Sequence, residues 1–359
     1  MRKWGSAVSS LDEFGRIRLW TEGRQKADFL SRAGVVCGIG DDAAVVAGEG
    51  SGSEWLVAAD AMVEQVHFLD ETMGEADVGF KALAANVSDI AAMGGEPKFA
   101  LVSVCVPPAW NEERMRRLYD GLYECAERYG VAVIGGDTTS APRDLVVAVT
   151  AIGTVEAGRA IRRSGARSGQ IVFLTGPTGL SAAGLHALQR IGAAEGAERA
   201  RLADLLPQRL VQAHRRPIPS VKAGRILAQM GWGASLNDVS DGVASEAWEI
   251  AEASQVKLVL KEKLLPLSGE LTAYAGDNGL RAADLALFGG EDYVLLGTAD
   301  KSCEQEMRER LRAEGIPLFV IGEVEAGQPG VELESADTGL RRPLAKRGYN
   351  HFSEGTMQT

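Results

Sequence analysis

The chain is short of positive charge. Lys and Arg number 38 against 49 Asp and Glu, a formal net charge of −11. A nucleic-acid binder normally carries a basic face, so that class is disfavoured. Small anionic ligands are not, because a bound cation reverses the local sign. Cysteine is scarce. Cys37, Cys105, Cys125 and Cys303 share no Cys-x-x-Cys spacing and lie in or near apolar stretches, which reads as buried reduced thiols rather than zinc sites or disulfides. No Gly-Lys dipeptide occurs, which excludes a P-loop. No uncharged apolar run is long enough to span a bilayer. The basic start Met1-Arg2-Lys3-Trp4 leads to Asp12 and Glu13 without an apolar h-region, so no signal peptide is expected and a cytoplasmic location is. Low-complexity segments and long linkers are also missing.

What is present is the material of an ordinary globular protein, with 359 residues, 45% of them hydrophobic and 24% charged. That length favours two domains. Apolar runs predict strands at 54–59, 99–106, 131–134, 145–152, 171–175 and 294–296, with Asp60 ending the first. Helices are expected over 77–93, from Pro107-Pro108 to about Tyr129, over 180–190 and 220–230, and from Ser240-Asp241-Gly242 to about Ala253. Ser240 and Asp241 are suited to capping the free amides of that last helix. In the 77–93 helix, Phe80, Leu83, Ala84, Val87, Ile90 and Ala91 form one apolar face, while Ala82, Ala85 and Asn86 lie opposite with Asp89 among them. A carboxylate on such a close-packed helix needs a partner. Strands and helices mix in both halves, so the class is α/β or α+β. The basic, glycine-rich stretch from 156 to 169 marks a boundary between domains at 1–155 and 156–359.

Six acidic or glycine-acid segments punctuate this framework: Gly38-Ile39-Gly40-Asp41-Asp42, Ala58-Ala59-Asp60, Asn86-Val87-Ser88-Asp89, Gly135-Gly136-Asp137, Asp238-Val239-Ser240-Asp241-Gly242 and Gly289-Gly290-Glu291-Asp292. The first matches a relaxed G-x-G-x-x-A dinucleotide pattern. That pattern needs a helix facing pyrophosphate, and here two carboxylates and the strand-like Ala44-Val45-Val46 follow instead. Each segment alone reads as an Asx-turn or a cap. Together they suit a shared pocket in which Asp42, Asp60, Asp89, Asp137, Asp238 and Asp241 hold magnesium against a polyphosphate. Like charges gathered there would raise pKa values and destabilise the metal-free fold.

With Val63-Glu64-Gln65-Val66-His67-Phe68, Arg163-Ser164-Gly165-Ala166 and Gly348-Tyr349-Asn350-His351-Phe352 these segments occur in an order that resembles the thiamine-monophosphate kinases, from about Asp12 to Phe352. The Asn86–Gly94 block is shared with the wider superfamily of aminoimidazole ribonucleotide synthetase, selenophosphate synthetase and hydrogenase-maturation proteins. The resemblance implies a two-domain fold of that superfamily and a homodimer whose N-terminal sheets form a barrel-like interface. It implies direct transfer of the γ-phosphoryl group of ATP to thiamine monophosphate, giving thiamine diphosphate, with several magnesium ions. The first domain would bind ATP and magnesium and dimerise; the second would complete the nucleotide and substrate site. The six aspartates would be metal ligands. Tyr119, Gly136, Asp137, Arg163 and Ser240 would contact ATP, and His67, Glu291, Tyr349 and Phe352 the thiamine phosphate. Phosphoryl transfer between two anions needs charge relief and alignment more than a general base, so none is assigned. The family usually carries a hydroxyl residue just before the second aspartate; here Ala58 and Ala59 precede Asp60 and offer only backbone carbonyls to a metal. Gln65 replaces a usual glycine and Gln170 a usual aspartate. The rival readings are another enzyme of the superfamily and a non-catalytic nucleotide- or metal-binding regulator. A selenide enzyme should carry a reactive cysteine near its start, and no cysteine precedes Val35.

Overall fold

The structure is a computed structural model that describes residues 13–48, 50, 52–231 and 235–349. After α1 (Glu13–Thr21) and α2 (Ala27–Arg32), the chain lays down β1 (Val35–Cys37), β2 (Ala44–Ala47), β3 (Ser53–Val63), α3 (Glu75–Ala92), β4 (Glu96–Val106), α4 (Glu112–Tyr129), β5 (Ala132–Ser140) and β6 (Val146–Glu156). These strands form one six-stranded sheet in the order β1-β2-β3-β6-β4-β5, antiparallel except for β4–β5. A second, seven-stranded sheet starts at β7 (Ile171–Leu174). It continues after helices α5 (Leu180–Ala193), α6 (Gly196–Asp204), α7 (Gln208–Arg215) and α8 (Val221–Met230) with β8 (Ser235–Asp238), α9 (Val243–Ser254) and β9 (Lys257–Lys261). Then come α10 (Gly269–Asp277), α11 (Ala282–Phe288), β10 (Leu295–Ala299), α12 (Glu304–Ala313), β11 (Phe319–Glu325), β12 (Gly330–Glu334) and β13 (Arg341–Pro343). Its order is β13-β12-β9-β11-β7-β10-β8, antiparallel except for β12–β9. No described helix is long and apolar enough to cross a membrane.

Helices α3 and α4 cover one face of the first sheet. Along β6 every second residue, Val147, Val149, Ala151, Gly153 and Val155, is buried beneath them, the period-2 signature of a sheet with one covered face. The two helices cross so closely that a Cβ on Gly79 would lie 1.9 Å from the Leu118 carbonyl oxygen, and one on Gly121 would lie 1.8 Å from that of Ala76. Only glycine permits that approach. The other face of the sheet leaves Trp55 and Leu101 exposed. There Val46, Trp55, Val57, Phe99 and Ile152 line an apolar depression.

The small-residue side of α3 meets β3, where Asn86 accepts from the Asp60 amide, while Ala91 and Asp77 lie on the opposite side and meet the second domain. Gly224 of α8 abuts the Ala91 carbonyl, and Arg216 after α7 pairs with Asp77 of α3 at 2.6 Å. Helix α3 is therefore buried nearly all round, between the first sheet and the second domain.

Three local expectations differ from the structure. Asp60 does not end its strand, because β3 pairs with β6 through to Val63. The Gly135-Gly136-Asp137 segment lies inside β5 rather than after it. Ser240 and Asp241 do not cap α9: Gly242 is its N-cap, without a side-chain bond, and the Asp241 amide donates instead to Glu246 Oε1 at 3.0 Å. A glutamate in the first turn of α9 takes the part expected of the preceding residues.

Candidate active site

Three of the six aspartates converge closely. Carboxylate oxygens of Asp42 (before β2), Asp89 (last turn of α3) and Asp238 (end of β8) all lie within 4.8 Å of one another. Asp238 is steadied by Ser88 Oγ, which donates to its Oδ2 at 2.5 Å. Asp60 lies on the covered face of β3, between buried Ala58 and Met62. Its amide donates to Asn86 Oδ1 at 3.0 Å, while Asn86 Nδ2 donates to the Ala82 carbonyl. That fully buried asparagine thus ties α3 to β3. The charge of Asp60 acts on both Asp89 and Asp238. Asp241, in the loop between β8 and α9, completes the group, and the charges of Asp238 and Asp60 both act on it.

Burial pushes the pKa of Asp42, Asp89, Asp238 and Asp241 up, and repulsion from neighbouring carboxylates adds to it. Asp42 and Asp89 are raised well above the ordinary carboxylate range, Asp238 to about 6 and Asp241 to about 8. One observation tests whether a hard cation fits. Asp42 Oδ2 is buried and has no hydrogen-bond partner, beside two further carboxylates at ligand spacing. All-oxygen donors with an unmet buried lone pair suit magnesium. Ala58 and Ala59 belong to β3, and the ladder with β2 stops at Val57. Ala58 faces the covered side and Ala59 the open one.

Arg163 is placed differently from a residue reaching out to a nucleotide. Its guanidinium contacts Asp42 at 2.5 Å and Glu249 at 3.2 Å, and its Nε donates to Asn237 Oδ1 at 3.3 Å. Asn237 in turn donates to Glu246 and Glu249. Arg163 therefore neutralises the acids from behind. Ser240 Oγ donates to Glu246 Oε1 at 3.4 Å.

Asp137 does not join the cluster. Asp60 pairs with Val149, Val149 with Val102, and Val102 with Gly136. That row places Gly136 three strand spacings from Asp60, roughly 14 Å. Gly136 and Asp137 instead line a cleft on edge strand β5 with Tyr119 and Tyr123 of α4.

A third group borders the loop that follows Asp238. The Tyr349 amide donates to the Asp241 carbonyl at 3.3 Å, and its ring lies 6.3 Å from that of His67. His67 Nδ1 accepts from the Val63 amide at 2.9 Å, which leaves the neutral ring's proton on Nε2. The turn that carries His67 places Gln65, the residue standing for a usual glycine, at φ +66. The Glu291 amide donates to the Ser240 carbonyl at 2.6 Å, and those of Asp292 and Tyr293 donate to Val239. Phe352 lies outside the described residues.

Sequence reasoning missed Ser88, Lys81, Asn237, Glu246, Glu249, His214 and Tyr293. Glu246 and Glu249 carried a usable signal. They lie among Val243, Ala244, Ala247 and Ile250 on the buried side of α9, where an acid needs a partner. Lys81 lies one turn or so before Asn86 on the same helix, yet nothing local marked its remote partner.

Two sheets with this connectivity define a class. Residues 40–155 match the family AIR synthase related protein, N-terminal domain, and residues 167–334 match AIR synthase related protein, C-terminal domain. Over 331 residues, 90% of this chain and 95% of its relative, the chain is 41% identical to thiamine-monophosphate kinase of Bacillus subtilis (strain 168). A solved structure of AaThiL complexed with AMPPCP and TMP matches with a TM-score of 0.78 at 30% identity, covering 97% of this chain and 100% of that one. The crystal structure of thiamine-monophosphate kinase from Stenotrophomonas maltophilia K279a matches with a TM-score of 0.69 at 33% identity, covering 86% and 93%. The chain belongs to the thiamine-monophosphate kinase family.

Proposed function

We propose that this protein transfers the γ-phosphoryl group of ATP directly to thiamine monophosphate, giving thiamine diphosphate. The observation that carries the reading is the junction of two groups. Asp42, Asp89 and Asp238 converge with an orphaned buried oxygen, and His67, Tyr349 and Glu291 border the loop that follows Asp238.

Magnesium held by Asp42, Asp89 and Asp238, with Asp60 and Asp241 nearby, would supply positive charge to the phosphates. Arg163 limits the repulsion among these acids. The Nε2–H of His67 suits an anionic phosphate oxygen. Glu291 and the ring of Tyr349 suit the cationic thiazolium. Asp137 and Gly136 are assigned to the nucleotide with Tyr119, and the Ser240 backbone links the two ends. No side chain needs to take a proton from an acceptor that is already ionised.

The apolar outer face of the first sheet is proposed as the homodimer interface, because a monomer would leave Trp55 and its neighbours in water. The division at 155/156 is proposed as the domain boundary, and the cytoplasm as the location. The test of function is phosphorus NMR of purified protein with ATP, magnesium and thiamine monophosphate. Thiamine diphosphate with stoichiometric ADP is expected; ADP without it, or neither product, refutes the reading.

A further inference from the structure

Glu291 is gripped more firmly than an ordinary cleft carboxylate. Its backbone sits at φ +66, a left-handed conformation that glycine adopts more easily. Lys81 Nζ of α3 lies 2.5 Å from its Oε1, and His214 Nδ1 of α7 lies 3.3 Å from its Oε2. Both partners are only 1% exposed, whereas Glu291 keeps 28% of its side chain accessible. A lysine buried in the middle of a helix is costly, and an apolar residue of similar volume would usually serve the fold as well or better. The pair also spans the two domains. The hydroxyls of Tyr349 and Tyr293 both feel the charge of Glu291, so its accessible edge borders the proposed acceptor region.

We propose that Lys81 and His214 are positioning residues that fix the Glu291 carboxylate in one orientation against the cationic ring of the acceptor. The inference rests on the reading of Glu291 as an acceptor contact. Two donors from different helices remove the rotational freedom of the carboxylate before the acceptor arrives. His214 Nδ1 lies between Glu291 Oε2 at 3.3 Å and Ser181 Oγ at 3.2 Å, so a proton on Nδ1 is shared between the carboxylate and the hydroxyl. Lys81 supplies the counter-charge that keeps the carboxylate ionised between its other neighbours, Asp292, Tyr293 and Tyr349.

The test is steady-state kinetics on the full chain, varying thiamine monophosphate and ATP separately. Lys81→Met should raise the KM for thiamine monophosphate about tenfold, with the KM for ATP changed less than about twofold. Glu291→Gln should do the same, and the double variant should be no worse than Glu291→Gln alone, because Lys81 acts only through Glu291. His214→Gln keeps a donor and should stay near wild type, whereas His214→Leu should not. Equal rises in both KM values, or additive losses in the double variant, would overturn the proposal. If Lys81→Met does not fold, the double variant, which has no orphaned charge, decides against Glu291→Gln in the same way. An unchanged acceptor KM in Glu291→Gln sinks the acceptor role of Glu291 and this proposal with it. Failure of the wild type to make thiamine diphosphate is a separate result that refutes the function.

Discussion

Raising the pH should weaken the metal-free protein, and magnesium should restore it. Asp241 has a pKa raised to about 8 by burial and by Glu249, Asp238 and Asp60. Its stabilising contribution is complete below the ordinary value of 3.8 and disappears as pH climbs through the folded value. Between about pH 6.5 and 8 this one group should cost about 2 kcal/mol, at about 1.4 kcal/mol per pH unit. Asp292, raised to about 7, acts in the same direction over the lower part of that range. Glu291, whose pKa falls to about 2 because Lys81 and His214 outweigh its burial, is ionised throughout and adds no slope. His214 is lowered by burial and works in the opposite sense below about pH 6.5, which is why the window starts there. For a chain of this size, 2 kcal/mol corresponds to a fall of about 3 °C in Tm. Magnesium at about a hundred times its Kd would return about 2.7 kcal/mol. The assay is differential scanning fluorimetry in EDTA or magnesium, from about pH 6.5 to about 8.5. A metal-free Tm that is flat or rising, or a magnesium gain equal at both ends, would refute the electrostatic account.

Asp89→Asn should cut ADP release roughly a hundredfold or more, without lowering Tm in EDTA, because it removes one repelling charge; near-normal turnover would remove Asp89 from the cluster. Gly121→Val should cost about 3 kcal/mol or more by forcing α4 off α3, measured by urea unfolding; a neutral result would contradict the helix crossing. Trp55→Glu should convert a dimer to a monomer in light scattering, and an unchanged mass would point to another interface.

The architecture was legible because apolar periodicity survives in single segments. The buried face of α3 and the strand starting at Ile171 needed no partner to be seen. Strand ends were less legible. Asp60 and Gly135-Gly136 look like terminators, yet continuous pairing with β6 and β4 carries the backbone past them. At the site, aspartates in glycine-rich turns were conspicuous, because small residues and carboxylates combine there. Glu249 and Lys81 were not, since each gains its meaning from a residue far away in sequence, Arg163 and Glu291 respectively. Asp137 shows the opposite case, a residue grouped with the other aspartates in sequence but set three strands away from Asp60 in the sheet.

The backbone hydrogen bonds that Glu291, Asp292 and Tyr293 donate to Ser240 and Val239 have a consequence for redesign. They join the segment that follows Asp238 to the segment bearing Glu291 as one stitched unit. Altering only the stretch from Gly289 to Tyr293 to admit a new acceptor would shift Asp238 and Asp241 as well. A transplant of specificity therefore has to exchange both segments together.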